Sequence, residues 1–144
     1  MAGGLTFFFD NCMSTRLARA LQELAFFPKD TIRHQKDDPR FKSDSLDVDI
    51  YNALAGDDPR PVVVSSDLSQ KTRGSPERQA LRASGLTAVF FAKNYANLRM
   101  HPQAVLTIRV WLDIREAVSR CTKPTLFVVA AQGKVKELCP TARL

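Results

Sequence analysis

A single α/β domain with a central, mostly parallel sheet of about four to five strands and helices on both faces is the fold class this 144-residue chain predicts. Three observations predict it. The runs Leu5–Phe9 and Pro61–Val64 are apolar at nearly every position, the pattern of strands covered on both sides. Segments of helical periodicity alternate with such runs, which is the order of a parallel sheet joined by right-handed crossovers. The length suits one domain, and a charged fraction of 25% is that of an ordinary globular chain able to bury a core.

Each element has its own signal. Residues 5–9 form the first strand. Ser14 or Thr15 can cap a helix over about 15–26, with Leu17, Leu21 and Leu24 on one face and Arg16, Arg19 and Glu23 on the other. Thr31–Gln35 is a weaker strand, and the polar stretch Lys36–Ser45, carrying Pro39, is a loop. Asp44 or Ser45 can cap a helix over about 47–55, broken by Gly56-Asp57-Asp58-Pro59. A strand from Pro61 to Ser66 ends on Asp67, and Leu68–Gly74 is a loop. Ser75-Pro76 starts a helix with a serine cap and proline at its first position, and that helix ends near Gly85. Leu86–Phe91 is a strand, Asn94–Arg99 a connection with a helical turn, and His101-Pro102 opens a helix to about Arg120. Lys123-Pro124 stops it, and Thr125–Ala131 is the last parallel strand. Gln132-Gly133 turns into an edge segment, Lys134–Leu138. The domain is expected to span residues 1–138, with residues 139–144 a loose tail.

Composition narrows the setting. No run reaches the ~18 apolar residues of a membrane span, and no basic segment followed by an apolar stretch marks a signal peptide. Cys12, Cys121 and Cys139 are odd in number and lack metal-binding spacing, so free thiols in a reducing cytoplasm are expected. The net charge of +6 favours a polyanionic partner.

The carboxylates carry the functional case. Asp10 and Asp67 each follow an apolar strand, and in open α/β sheets ligands bind at the carboxyl ends of the strands. Asp47 and Asp49 open the helix that lies between those strands in sequence. Carboxylates gathered together repel unless a cation joins them. Mg²⁺ or Mn²⁺ suits such an all-oxygen set and phosphoryl chemistry. The plainer reading is helix-dipole support for Asp47 and Asp49 and loop solvation for Asp57 and Asp58.

Phe7-Phe8-Phe9-Asp10-Asn11 followed by Arg16-Leu17-Ala18-Arg19-Ala20-Leu21 resembles the opening of PIN-like proteins of the VapC toxin type, in particular a divergent VapC-like branch. Asp47-Val48-Asp49-Ile50, Val62-Val63-Val64-Ser65-Ser66-Asp67 and Pro76-Glu77-Arg78-Gln79-Ala80-Leu81 resemble that branch's later motifs, over about residues 5–131. The resemblance implies a PIN-like domain and a Mg²⁺- or Mn²⁺-dependent endoribonuclease. It implies the toxin of a type II toxin–antitoxin pair, with an antitoxin protein as partner and a homodimer as assembly. Asp10, Asp47 and Asp67 would be catalytic and hold the metal, with Asp49 as a fourth ligand. Asn11 and Ser66 would hydrogen-bond those carboxylates. The chain departs at Cys12, where the branch has a further Asn.

Other residues are weighed beside this set. Arg73, Arg78 and Lys93 could contact RNA phosphates or lie on a solvated surface. His34 is matched in the branch, yet a lone histidine in apolar surroundings is more often structural, and His101 suits a helix start. The helix near 102–120 is apolar on more than one face, which points to a central helix or a subunit contact anchored by Trp111. A phosphoacceptor receiver would want an acidic residue at Asn11, and a haloacid-dehalogenase-type phosphatase would want Asp at Cys12. A degenerate PIN-like domain that only binds RNA or a protein partner is the non-enzymatic alternative.

Overall fold

The computed structural model describes residues 3–66 and 75–144. Among them run β1 (Thr6–Phe9), α1 (Thr15–Leu24), β2 (Thr31–His34), α2 (Asp47–Ala55), β3 (Val62–Ser65), α3 (Pro76–Ser84), β4 (Ala88–Phe91), α4 (Met100–Ser119), β5 (Thr125–Val129) and β6 (Val135–Pro140). They form one sheet in the order β2-β1-β3-β4-β5-β6. The first five strands pair in parallel, and β6 runs antiparallel to β5.

Alternation along each strand divides the core into two layers. Phe7 and Phe9 of β1, Val64 of β3 and Val89 and Phe91 of β4 pack with Leu17 and Leu21 of α1 and Trp111 and Ile114 of α4. Phe8, Val63, Ala88 and Phe90 point the other way, to Ile50 and Leu54 of α2 and Leu81 of α3. Phe7, Phe8 and Phe9 are therefore all fully buried, as a strand covered on both faces requires. Trp111 is not a surface anchor. It lies in the core with its ring 4.8 Å from that of Phe7 and 5.7 Å from that of Phe9.

Helix ends follow their local chemistry. Ser14 accepts from the Leu17 amide and starts α1, and Ser75 accepts from the Arg78 amide ahead of Pro76. Gly85 closes α3 in the left-handed conformation (φ 68°). At α2 the expectation fails. The cap is Leu46, which supplies no side-chain bond, while the Ser45 hydroxyl accepts from the Lys42 amide within the preceding loop.

Among the described residues the sheet has six strands where about four to five were expected, because the foreseen edge segment pairs as a full strand. That edge strand, β6, runs past Leu138 to take in Cys139 and Pro140. Residues 139–144, expected to be loose, are tied in. Thr141 is fully buried, its amide donates to Pro124 O at 3.0 Å, and its hydroxyl donates to Leu86 O at 2.7 Å.

A buried ion pair ties α4 to the sheet edge. Arg115 donates through Nε and an Nη to the two Asp30 oxygens at 2.8 and 3.0 Å, and Asp30 Oδ1 also accepts from the Leu5 amide at 2.8 Å. The Arg115 guanidinium lies 4.6 Å from the centre of the Phe27 ring. No helix among the described residues is long and apolar enough to cross a membrane.

Candidate active site

Strand order places a crevice at β1. From β1 the chain steps outward to β2, then crosses back to β3 on the other side, so the carboxyl ends of β1 and β3 flank the topological switch point. Asp10 sits there. Its amide donates to Val64 O at 3.1 Å, which extends the β1–β3 ladder one residue past the strand. Its Oδ1 accepts from the Cys12 amide at 2.9 Å, and its carbonyl accepts from the Met13 amide at 3.0 Å. This turn, which a short acidic side chain closes on its own backbone, leads straight to the Ser14 cap of α1. Asp10 is only 6% exposed, and a carboxylate so buried needs hydrogen bonds or a cation to remain ionised. The departure at Cys12 leaves the turn intact, since the bond to Asp10 comes from the main chain.

Hydrogen bonds stitch neighbouring segments to this turn. The Asn11 amide donates to Gln35 Oε1 at 3.3 Å, and its side chain donates from Nδ2 to Ser43 O at 2.8 Å. Gln35 Nε2 in turn donates to Lys42 O at 3.1 Å. The Ser66 hydroxyl donates to Cys12 O at 3.2 Å, linking the end of β3 to the turn after β1. The side-chain bonds of Asn11 and Ser66 to described residues go to the backbone carbonyls of Ser43 and Cys12. Their effect is on loop position: the segment entering α2 is fastened to the residue after Asp10.

Asp47 and Asp49 occupy the first turn of α2, where the positive end of the helix dipole favours an anion. Asp47 is half-buried and Asp49 exposed. Asp67 and Arg73, with the loop expected over residues 68–74, lie outside the described residues. Among the described residues, no group of three or more His, Cys, Asp or Glu side chains converges as a metal set. Arg78 lies in the first turn of α3, half-buried. Lys93 is exposed in the short 3-10 turn Lys93–Asn97, just beyond the carboxyl end of β4.

His34 is structural. Its Nδ1 accepts from the Lys36 amide at 3.0 Å, so Nε2 carries the proton and donates to Met13 O at 2.8 Å. Burial lowers its pKa from the ordinary value and keeps the ring neutral. It braces the end of β2 against the turn beyond Asp10. Sequence reading missed Gln35, because a buried glutamine bridging two loops leaves no local pattern. It also missed the Asp30–Arg115 pair, whose members are 85 residues apart.

Comparison with known proteins finds a family match. A family model described as a PIN like domain matches residues 5–93, which takes in β1 to β4 and ends before α4. No curated protein and no solved structure matches the chain. With the greater part of its length matched, including the strand that bears Asp10 and the helix that bears Asp47, the chain belongs to the PIN-like domain family.

Proposed function

We propose that this PIN-like domain is a metal-dependent endoribonuclease that hydrolyses RNA phosphodiester bonds. We propose further that it is the toxin of a type II toxin–antitoxin pair of the VapC type. The observation that carries the reading is Asp10, a buried carboxylate at the β1/β3 switch point of a PIN-like domain. The net charge of +6 supports a polyanionic substrate.

The donor set fits a hard divalent cation. Asp10, Asp47, Asp49 and Asp67 offer only carboxylate oxygens, and the Asp10 turn fixes one of them against the Cys12 amide. Asp10, Asp47 and Asp67 would hold Mg²⁺ or Mn²⁺, with Asp49 as a fourth ligand. Such a cation, when bound, makes water a nucleophile at neutral pH and stabilises charge on the phosphoryl group. The chain's own residues do the rest. Gln35, Asn11 and Ser66 hold the three approaching segments in place, a positioning role. Arg73, Arg78 and Lys93 would attract and orient RNA phosphates. The α2 N-terminus favours negative charge beside the site.

An antitoxin or a second copy of the chain would cover the outer face of α4, where Val105 and Leu112 are about half exposed. Trp111 takes no part in that face. A second reading, a PIN-like domain that binds RNA without cleaving it, draws on Cys12 standing where the resembled branch has Asn. Cleavage of labelled RNA by the purified protein separates the two. Cleavage that requires Mn²⁺, stops in EDTA and is lost in Asp10→Asn and Asp67→Asn supports the enzyme. Cleavage that persists in both variants and in EDTA overturns the mechanism, and RNA binding with no cleavage under any metal favours the second reading.

A further inference from the structure

Arg40 joins the loops at the two ends of α2. It stands between the end of β2 and the start of α2. Its Nε and one Nη donate to the two Asp38 oxygens at 3.1 and 2.9 Å, and its two Nη donate to the Asp57 oxygens at 2.8 and 3.1 Å. Asp57, expected only to solvate its loop, follows the last turn of α2, and its amide donates to Leu54 O at 3.1 Å. The Arg33 guanidinium on β2 lies 3.9 Å from Asp38 and 3.7 Å from Asp57, so two guanidiniums alternate with two carboxylates. The Asp38 side chain is only 5% exposed and that of Asp57 22%. An isolated surface pair holds little, but a guanidinium forked onto two such carboxylates fixes one geometry. Next to Arg40, Phe41 packs edge-on against Phe8, with ring centres 5.7 Å apart, and so fastens the same loop to the strand that leads into Asp10.

What these bonds hold is the position of α2. Leu46 gives that helix no side-chain cap, so its start is set by the loop before it. Two bonds fasten this loop at the Asp10 turn: Asn11 Nδ2 donates to Ser43 O, and Gln35, which accepts from the Asn11 amide, donates to Lys42 O. Arg40 fastens it to the far end of the helix. Residues 40–57 therefore form a closed ring in which both ends of α2 are tied. Packing of Ile50 and Leu54 on the sheet is non-directional, whereas the fork is directional and fixes the helix along its axis. From this geometry we infer that Arg40 is a positioning residue for the proposed cation site: its fork on Asp38 and Asp57 sets where the first turn of α2 presents Asp47 relative to the Asp10 turn. The inference rests on the metal-dependent reading and adds a residue outside the carboxylate set that controls metal affinity. Arg40 acts through α2, not by contact with the cation or with RNA.

The test is calorimetric titration of Mn²⁺ into wild type, Arg40→Ala, Asp57→Asn and the double variant, each shown to be folded by its thermal melt. Arg40→Lys, which keeps the charge and loses the fork, replaces Arg40→Ala if that variant melts early. Asp30→Leu/Arg115→Met, which removes a buried ion pair on the other face of the sheet, controls for a general loss of stability. The expected result is Mn²⁺ binding about tenfold weaker in each single variant, the low end for groups that support a metal ligand. The double variant should bind no more weakly than Arg40→Ala, because both substitutions break one shared contact. The control pair should bind Mn²⁺ as wild type does. Unchanged affinity in the folded Arg40 and Asp57 variants overturns the positioning role and leaves the cation site standing. An equal loss in the control pair also overturns it, since the effect would then be one of stability. Wild type that binds no Mn²⁺ overturns the cation site and this inference with it.

Discussion

Replacing Arg115 with Ala should be the most damaging single change away from the candidate site. The substitution removes both hydrogen bonds to Asp30, at 2.8 and 3.0 Å, and leaves that carboxylate in a position where its side chain is only 4% exposed. Breaking a buried pair on one side costs about 3–5 kcal/mol, because the remaining charge is uncompensated. Loss of the guanidinium over Phe27 adds about 0.5–1 kcal/mol. The midpoint of thermal unfolding should fall by roughly 12–20 °C at the usual scaling for a chain of this size. Asp30→Leu combined with Arg115→Met should cost much less. It removes both charges and leaves chiefly the Leu5 amide without its acceptor, about 1–3 kcal/mol. Urea unfolding followed by the fluorescence of Trp111, the single tryptophan and buried on Phe7, reports both variants. An Arg115→Ala protein within about 1 kcal/mol of wild type would refute the reasoning.

Ser75→Ala should lower stability by about 1 kcal/mol in the same urea assay, through loss of the cap that accepts from the Arg78 amide at 3.1 Å. Gln35→Ala should cost about 1–3 kcal/mol and reduce RNA cleavage, since the segment entering α2 loses its tie to Asn11; equal cleavage by the folded variant would remove the positioning role. Burial lowers the His34 pKa below its ordinary 6.5, so the unfolded chain binds that proton more readily. Its contribution to stability is therefore complete above about pH 6.5 and declines as pH falls toward the folded value. Urea midpoints measured from pH 8 to pH 5 should show that decline, and His34→Gln should flatten it. At lower pH the hydrogen bond from Arg40, which holds the Asp38 carboxyl below its ordinary 3.8, contributes stability that is lost as Asp38 protonates.

Much of this fold is written in local sequence. Phe7-Phe8-Phe9 and Val62-Val63-Val64 read as doubly covered strands because both of their faces are apolar, and both are central strands. Ser75-Pro76 marks the start of α3 because cap and proline act within one turn. β6 was legible only in part: an edge strand with one solvated side leaves Lys136, Glu137 and Leu138 exposed, and nothing local shows that Cys139 and Pro140 continue it. Leu46 was missed as the cap of α2 because loop bonding, not side-chain capping, sets that start. Trp111 looked like an anchor because α4 is apolar on several faces, and only the sheet beneath decides which face is covered. At the candidate site, the place of Asp10 was legible from strand-end chemistry. The bonds of Asn11, Gln35 and Ser66 were not, since each spans between 7 and 54 residues and depends on how loops meet.

The central claim is that Asp10, with Asp47 and Asp67, holds a divalent cation at the switch point. Calorimetric titration of Mn²⁺ into wild type and Asp10→Asn tests it most directly. The account predicts saturable binding by wild type, weakened by about tenfold or more in Asp10→Asn, given that even residues merely supporting a ligand move metal affinity on that scale. Equal Mn²⁺ affinity in the two proteins, both folded, would contradict it.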